Sequence, residues 1–323
     1  MKEESAQEWF EKGFELGEQG KHKEAIECYE KALEILPDYF EAWHNKGIEL
    51  YQILEYEKAL DAYGKALLIK PDFADAWYHK AASLVKLGHN KTAIEVFERV
   101  IAIAWSSVES WHNQGNIPFN EEMIQLANKC CEKIIEIDPN NARAWHIKSR
   151  GLGELGLIKC SLKDFNEAIP IFNEAINCCD KSLEILPGQD IVWNNHGVLF
   201  SWLAHYQILL GNDIEAVKCF GKANDSFDKS LRIKPQVSKI LDNKGHALIE
   251  LKRYQEALQC FEKAITINSR DAKAWWNKGI ILSRLGKPDE ATKCYAMAKE
   301  VNPNFVNALP LMEPFFYKEY VYD

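Results

Sequence analysis

Residues 42–50 read AWHNKGIEL, and thirty-four positions later residues 76–84 read AWYHKAASL. The phrase returns as AWHIKSRGL at 144–152, VWNNHGVLF at 192–200 and AWWNKGIIL at 274–282. Downstream of each copy comes an Ala, most often behind a Glu. An aromatic follows four residues later, usually with a small residue three further on and then a Pro. Seven of the ten Trp hold one phase: Trp9, Trp43, Trp77, Trp111, Trp145, Trp193 and Trp275, with Leu241 the exception. The closing Pro appears as Pro37, Pro71, Pro139, Pro187, Pro235 and Pro303, replaced by Trp105 and Ser269 in two places. A motif that recurs in phase is the signature of a repeat architecture rather than of one globular core.

The apolar spacing predicts two amphipathic helices per unit, A beginning near the Trp and B near the Ala, with Pro ending B because it cannot continue the ladder. Neither helix buries its apolar stripe alone, so neighbouring units must stack. This pattern resembles the tetratricopeptide repeat. The resemblance implies an all-α solenoid, a right-handed α-α superhelix of eight helix-turn-helix units with a concave groove lined by A helices. The units run 6–39, 40–73, 74–107, 108–141, 142–189, 190–237, 238–271 and 272–305, flanked by a short extension 1–5 and a capping segment 306–323. One departure is systematic: before the Gly the family usually has Leu, and this chain mostly has Lys (Lys12, Lys46, Lys80, Lys148, Lys244, Lys278). The methylene stem of Lys still covers apolar surface.

Two consecutive units are 48 residues long. In the first of them the phrase NEAI occurs twice, at 166–169 and 173–176. The two align without gaps, and each helix has grown by seven residues. Seven α-helical residues return to within about 20° of the same face, so the buried stripe is kept. The extension adds roughly 10 Å. Its apolar residues include Leu155, Leu157, Ile158, Leu162, Phe165 and Ile169, then Trp202, Leu203, Tyr206, Ile208, Leu209 and Leu210. Two readings stand: the raised hairpins pack on each other, or Leu162, Phe165, Trp202 and Tyr206 form a ridge for a partner or a second copy. Pro170, early in the lengthened helix B, is expected to cost one hydrogen bond and add a bend.

Numbering within the unit, with the Trp at position 4, directs positions 4, 7, 8 and 11 of helix A inward and 2, 5, 6, 9 and 13 into the groove. Position 6 is Asn45, His79, Asn113, Ile147, Asn195, Asn243 and Asn277 in the second to eighth units. A spaced row of Asn offers donors and acceptors to an extended peptide backbone whatever its sequence. This row is similar to the asparagine ladder of the O-linked N-acetylglucosamine transferases. Position 5 adds His44, Tyr78, His112, His146 and Trp276. Position 2 runs from Glu41 and Asp75 to Lys239 and Lys273, which predicts an acidic-to-basic groove that orients a charged segment. The carboxylate clamp of some chaperone-binding relatives is incomplete: Asn243 and Lys273 match, while Asn194, Val198 and Asn277 do not.

Other classes of function find less support. Successive units are expected on the order of 10 Å apart, too far for the three His at position 5 to share a metal, so no metal and no cofactor are expected. No phosphate loop or nucleophile elbow appears, which argues against an enzyme. A net charge of −9 argues against general nucleic-acid binding, although the last units are more basic. Residues 1–150 hold 18 Lys+Arg against 26 Asp+Glu, and 151–323 hold 21 against 22. Nine cysteines without CxxC spacing fit buried thiols in a reducing compartment. With no long apolar run and a polar start, the chain is expected to be cytoplasmic. The reading is a non-catalytic scaffold that binds a protein or peptide. The alternatives are a nucleic-acid-binding or regulatory adaptor through the basic units, or a homodimer through the ridge.

Overall fold

The computed structural model describes residues 5–113 and 121–303, with the side chains of 110–113 left out. Fifteen α-helices and no strand occur among them. They are α1 (Ala6–Glu18), α2 (His22–Ile35), α3 (Phe40–Gln52), α4 (Tyr56–Ile69), α5 (Ala74–Lys86), α6 (Asn90–Asn113), α7 (Glu121–Ile137) and α8 (Ala142–Ser161). Then come α9 (Phe165–Ile185), α10 (Asp190–Leu209), α11 (Asp213–Ile233), α12 (Ser238–Glu250), α13 (Tyr254–Ile267), α14 (Ala272–Arg284) and α15 (Pro288–Val301). The chain forms two compact parts, Met1–Asn140 and Asn141–Asp323. In each, hairpins stack through the B helix of one unit against the A helix of the next, as in α2·α3, α4·α5, α9·α10, α11·α12 and α13·α14.

Three contacts recur and explain the repeat. First, the small residue at position 8 admits the aromatic of helix B: a Cβ added to Gly47 would stand 2.5 Å from the Tyr63 ring, and one on Gly245 2.5 Å from Phe261. Only Gly allows so close an approach. Second, the Trp indole N–H donates to the carbonyl six residues back, as from Trp43 to Pro37 and Trp77 to Pro71, both 2.9 Å, and Trp193 to Pro187, 3.0 Å. Each Trp thereby fastens the loop that closes the preceding unit. Third, the unusual Lys lies over the Trp one turn earlier (Lys12 on Trp9 at 4.6 Å, Lys80 on Trp77 at 4.9 Å), a cation–π placement. In three units it also reaches an acid on the preceding B helix: Lys46 to Glu30, Lys244 to Asp228 and Lys278 to Glu262. This Lys covers apolar surface and stitches neighbouring units together.

Every described A–B turn contains one left-handed residue. Gly20, Gly88, Gly211 and Gly286 take this role in four, and Leu54, Lys163 and Lys252 in three, with φ between 59° and 80°. At the first turn the amides of Gly20 and Lys21 donate to the carbonyls of Gly17 and Leu16, the Schellman closure of a helix end.

The lengthening is in register. Ordinary A helices such as α3 and α12 have 13 residues and ordinary B helices such as α4 and α13 have 14. In the long hairpins the values are 20 and 21, seven more in each helix. The seven residues carry a second copy of the small-residue–aromatic rung. In α10–α11 the inner rung is Gly197 against Phe227, and Phe220 is buried one heptad above it. In α8–α9 the outer rung is Gly156 against Phe172, and the inner one is Ser149 Oγ, 2.9 Å from Cys179 Sγ. The doubled NEAI is the trace of that second rung. Pro170 is accommodated inside α9.

The junction at 107/108 carries no helix break: α6 runs 24 residues without interruption through it. Trp105 stands where Pro would otherwise stop helix B, and IAIAWSSVES contains nothing that ends a helix. The B helix of the third unit is therefore continuous with the residues assigned to the next A helix. Pro118, Phe119 and Asn120 lie outside the described residues, as do residues 306–323.

Candidate functional site

The A-helix rows singled out from the sequence are where neighbouring units meet. The asparagine row of the second part is turned inward. Asn195, Asn243 and Asn277 are buried, Asn277 at 1% exposure. The amide of Asn195 lies 2.8 Å from His146 Nε2. That of Asn243 donates to Asn194 Oδ1 at 3.2 Å, and that of Asn277 donates to Asp242 Oδ1 at 3.2 Å and lies 2.8 Å from His246 Nε2. Position 6 of each helix thus bonds position 5 of the helix before it. This corrects the picture of a ladder reading a peptide: stacked A helices stand close enough for the two rows to satisfy each other.

The basic end of the groove is also compensated internally. Lys273 Nζ stands 3.5 Å from Asp242 Oδ2. Burial pulls the Lys273 ammonium down to about 8 and pushes the Asp242 carboxyl up against the pull of that lysine. Lys239 acts on the same pair through its charge. Trp276 leans on Tyr295, with ring centroids 4.6 Å apart.

In the first part the same rows are aromatic. His44 packs on Phe73 (centroids 4.8 Å) and on His79 (5.4 Å), and Tyr63 stacks on His79 at 5.9 Å. His44 Nε2 and the Tyr63 hydroxyl are buried with no hydrogen-bond partner among the described residues. Desolvation drops the His44 imidazole to about 4, with His79 adding to the effect. Tyr78 packs on Phe97 and lies under Lys129. Asn45 bonds toward the Tyr29 hydroxyl. Asp75 is exposed and Glu41 half-exposed, and no ion pair holds either among the described residues. His112 and Asn113 end α6, and their side chains lie outside the described residues.

The ridge is also divided. Trp202 is buried, and Phe165 and Tyr206 pack with it between hairpins α8–α9 and α10–α11. Tyr206 stacks on Phe172 at 5.6 Å and 13°, and Phe165 lies 5.7 Å from Tyr206. Those three residues form a seam, and only Leu162 of the four named is exposed. Besides Leu162, the apolar residues that face water near these tips include Ile208, Leu209, Leu210, Ile214 and Val217. The period places Ile208, Leu209 and Leu210 in the extension but does not separate them from the seam.

All nine cysteines are buried. No three His, Cys, Asp or Glu side chains stand together as a metal site among the described residues, and no described helix is long and apolar enough to cross a membrane.

The hairpins, their rungs and their Trp clasps define a helical repeat protein. Family models confirm the kind: residues 6–39, 40–73, 74–104, 108–141 and 272–305 match the tetratricopeptide repeat, and 245–286 match the TPR repeat. The chain belongs to the tetratricopeptide-repeat family. Similar solved structures include MamA, 17% identical over 61% of this chain and 95% of that one, with a TM-score of 0.43. TTC0263, a thermophilic TPR protein of Thermus thermophilus, is 16% identical over 76% of this chain and 99% of that one, with a TM-score of 0.40. PilF of Pseudomonas aeruginosa is 17% identical over 85% and 97%, with a TM-score of 0.41. No curated protein matches the chain.

Proposed function

We propose that the protein is a non-catalytic scaffold whose first part holds a basic segment of another protein along its A helices. The observation that carries this is the charge balance of the A-helix rows. Asp75 and Glu41 reach solvent with no ion pair among the described residues, whereas Lys273 in the second part is engaged by Asp242. Uncompensated acids on a row of helices favour Lys or Arg through charge.

Fluorescence anisotropy with labelled Lys/Arg-rich, neutral and acidic peptides tests the reading. The basic peptide is expected to bind best, at least tenfold more weakly once Glu41→Lys and Asp75→Lys are combined, and more weakly in high salt. Equal binding by all three peptides, or by the double variant, would remove the acidic rows from the account.

A further inference from the structure

The long hairpin α10–α11 stands beside a short one. Val217 on α11 corresponds in register to Ile169 on α9, which packs into the core shared with α10. The next A helix, α12, has no such extension, so no helix among the described residues covers the equivalent face of α11. Lys244 on α12 meets Asp228 on α11, and α10 is seven residues longer than α12, which places the α12–α13 turn about two helical turns below the tip. Above that level lie Ile214 at 79% exposure, Val217, and across the turn Leu209 at 66%, with Ile208 and Leu210. Gly221 continues the strip with open space at its Cβ. Five large apolar side chains within ten residues expose on the order of 500 Å², a patch of the size that marks an interaction site.

We propose that this overhanging face binds the same face of a second copy around a two-fold axis. The self-pairing removes on the order of 1,000 Å² from water, the lower end of a stable specific interface. Charge favours the arrangement. Asp213 lies at the upper end of the strip and Lys252 at the lower, and neither has an ion pair among the described residues. In an isologous contact each end of one strip meets the opposite end of its partner, so Asp213 of one copy faces Lys252 of the other. The buried extension of α8 offers no alternative cover, since its residues from Gly151 to Cys160 are buried or half-buried.

Sedimentation velocity of the full chain over a range from about 1 to 200 µM tests the proposal. The wild type is expected to pass from monomer to dimer. The pair Leu209→Asp and Ile214→Asp should weaken that step at least tenfold while leaving far-UV circular dichroism and melting unchanged. Asp213→Lys alone should weaken it, and adding Lys252→Asp should restore it. A monomer at every concentration overturns the proposal and leaves the patch to residues 304–323 or to a different protein. A dimer that survives the aspartate pair overturns it as well.

Discussion

Hairpins α3–α4 and α10–α11 share one plan and differ by seven residues in each helix. The shorter has one close rung, Gly47 under Tyr63; the longer has Gly197 under Phe227 and a second aromatic, Phe220, one heptad above. Because seven residues come within about 20° of two whole turns, the added layer faces the same neighbours as the first. A repeat can therefore grow without leaving the stack, provided both helices grow together. What it gains is depth on one side and an overhang wherever the next unit does not follow.

Acidification should separate the two parts of the chain most. Burial lowers His44 to about 4 in the short hairpin. In the second part burial lowers His146 on α8 to about 4, and His205 on α10 and His246 on α12 to about 3. For a histidine with a depressed folded value, the stability it contributes is present above about pH 6.5 and is lost as pH falls toward that value. The slope approaches about 1.4 kcal/mol per pH unit for each such group. Melting between pH 7.5 and 5 should show a steep loss, and hydrogen exchange should show Asn141–Val301 opening first. A melting temperature that is flat over that range would contradict these burials.

Next in size is Phe172→Ala. It removes the ring that packs on both Trp202 and Tyr206 and should cost about 3–5 kcal/mol in chemical denaturation. A loss below about 1 kcal/mol would mean that the seam between the long hairpins is not a true core. Gly47→Val and Gly156→Val test the rungs directly. Both press on a ring, but the long hairpin keeps its Ser149–Cys179 rung, so the cost of about 1–3 kcal/mol should be greater at Gly47. Asn277→Ala strips a hydrogen bond from buried Asp242 and should cost about 1–3 kcal/mol without changing peptide capture by the first part. The smallest effect is stabilising: Lys163→Gly, Lys252→Gly and Leu54→Gly each relieve a left-handed backbone and should add about 1 kcal/mol.

Much of this is legible in the residues. The Trp phase and the closing Pro fix the hairpins, and the doubled NEAI fixes the length and register of α9, because helix periodicity is a local property. The groove is less legible. The rows His146, Asn195, Asn243 and Asn277 do lie on A helices, as their phase requires. Whether they face a ligand or each other depends on how closely successive helices approach, which no single helix encodes. The same limit applies to Trp202 and Tyr206, whose apolar character fits a seam and a surface equally. Trp105 in place of Pro does mark an irregular junction, yet only the unbroken α6 shows that the consequence is continuity.

Shortening both long hairpins in register tests the central claim most directly. Deleting 149–155 with 173–179, and 198–204 with 220–226, leaves Gly156 over Phe172 and Gly197 over Phe227 in two ordinary 34-residue units. That protein should fold to a helical array with one cooperative melt by circular dichroism. Removing five residues from each helix instead turns the buried face by roughly 140° and should abolish the transition. Equal damage from the two deletions would contradict the claim that the extensions are whole heptads added to an unchanged stack.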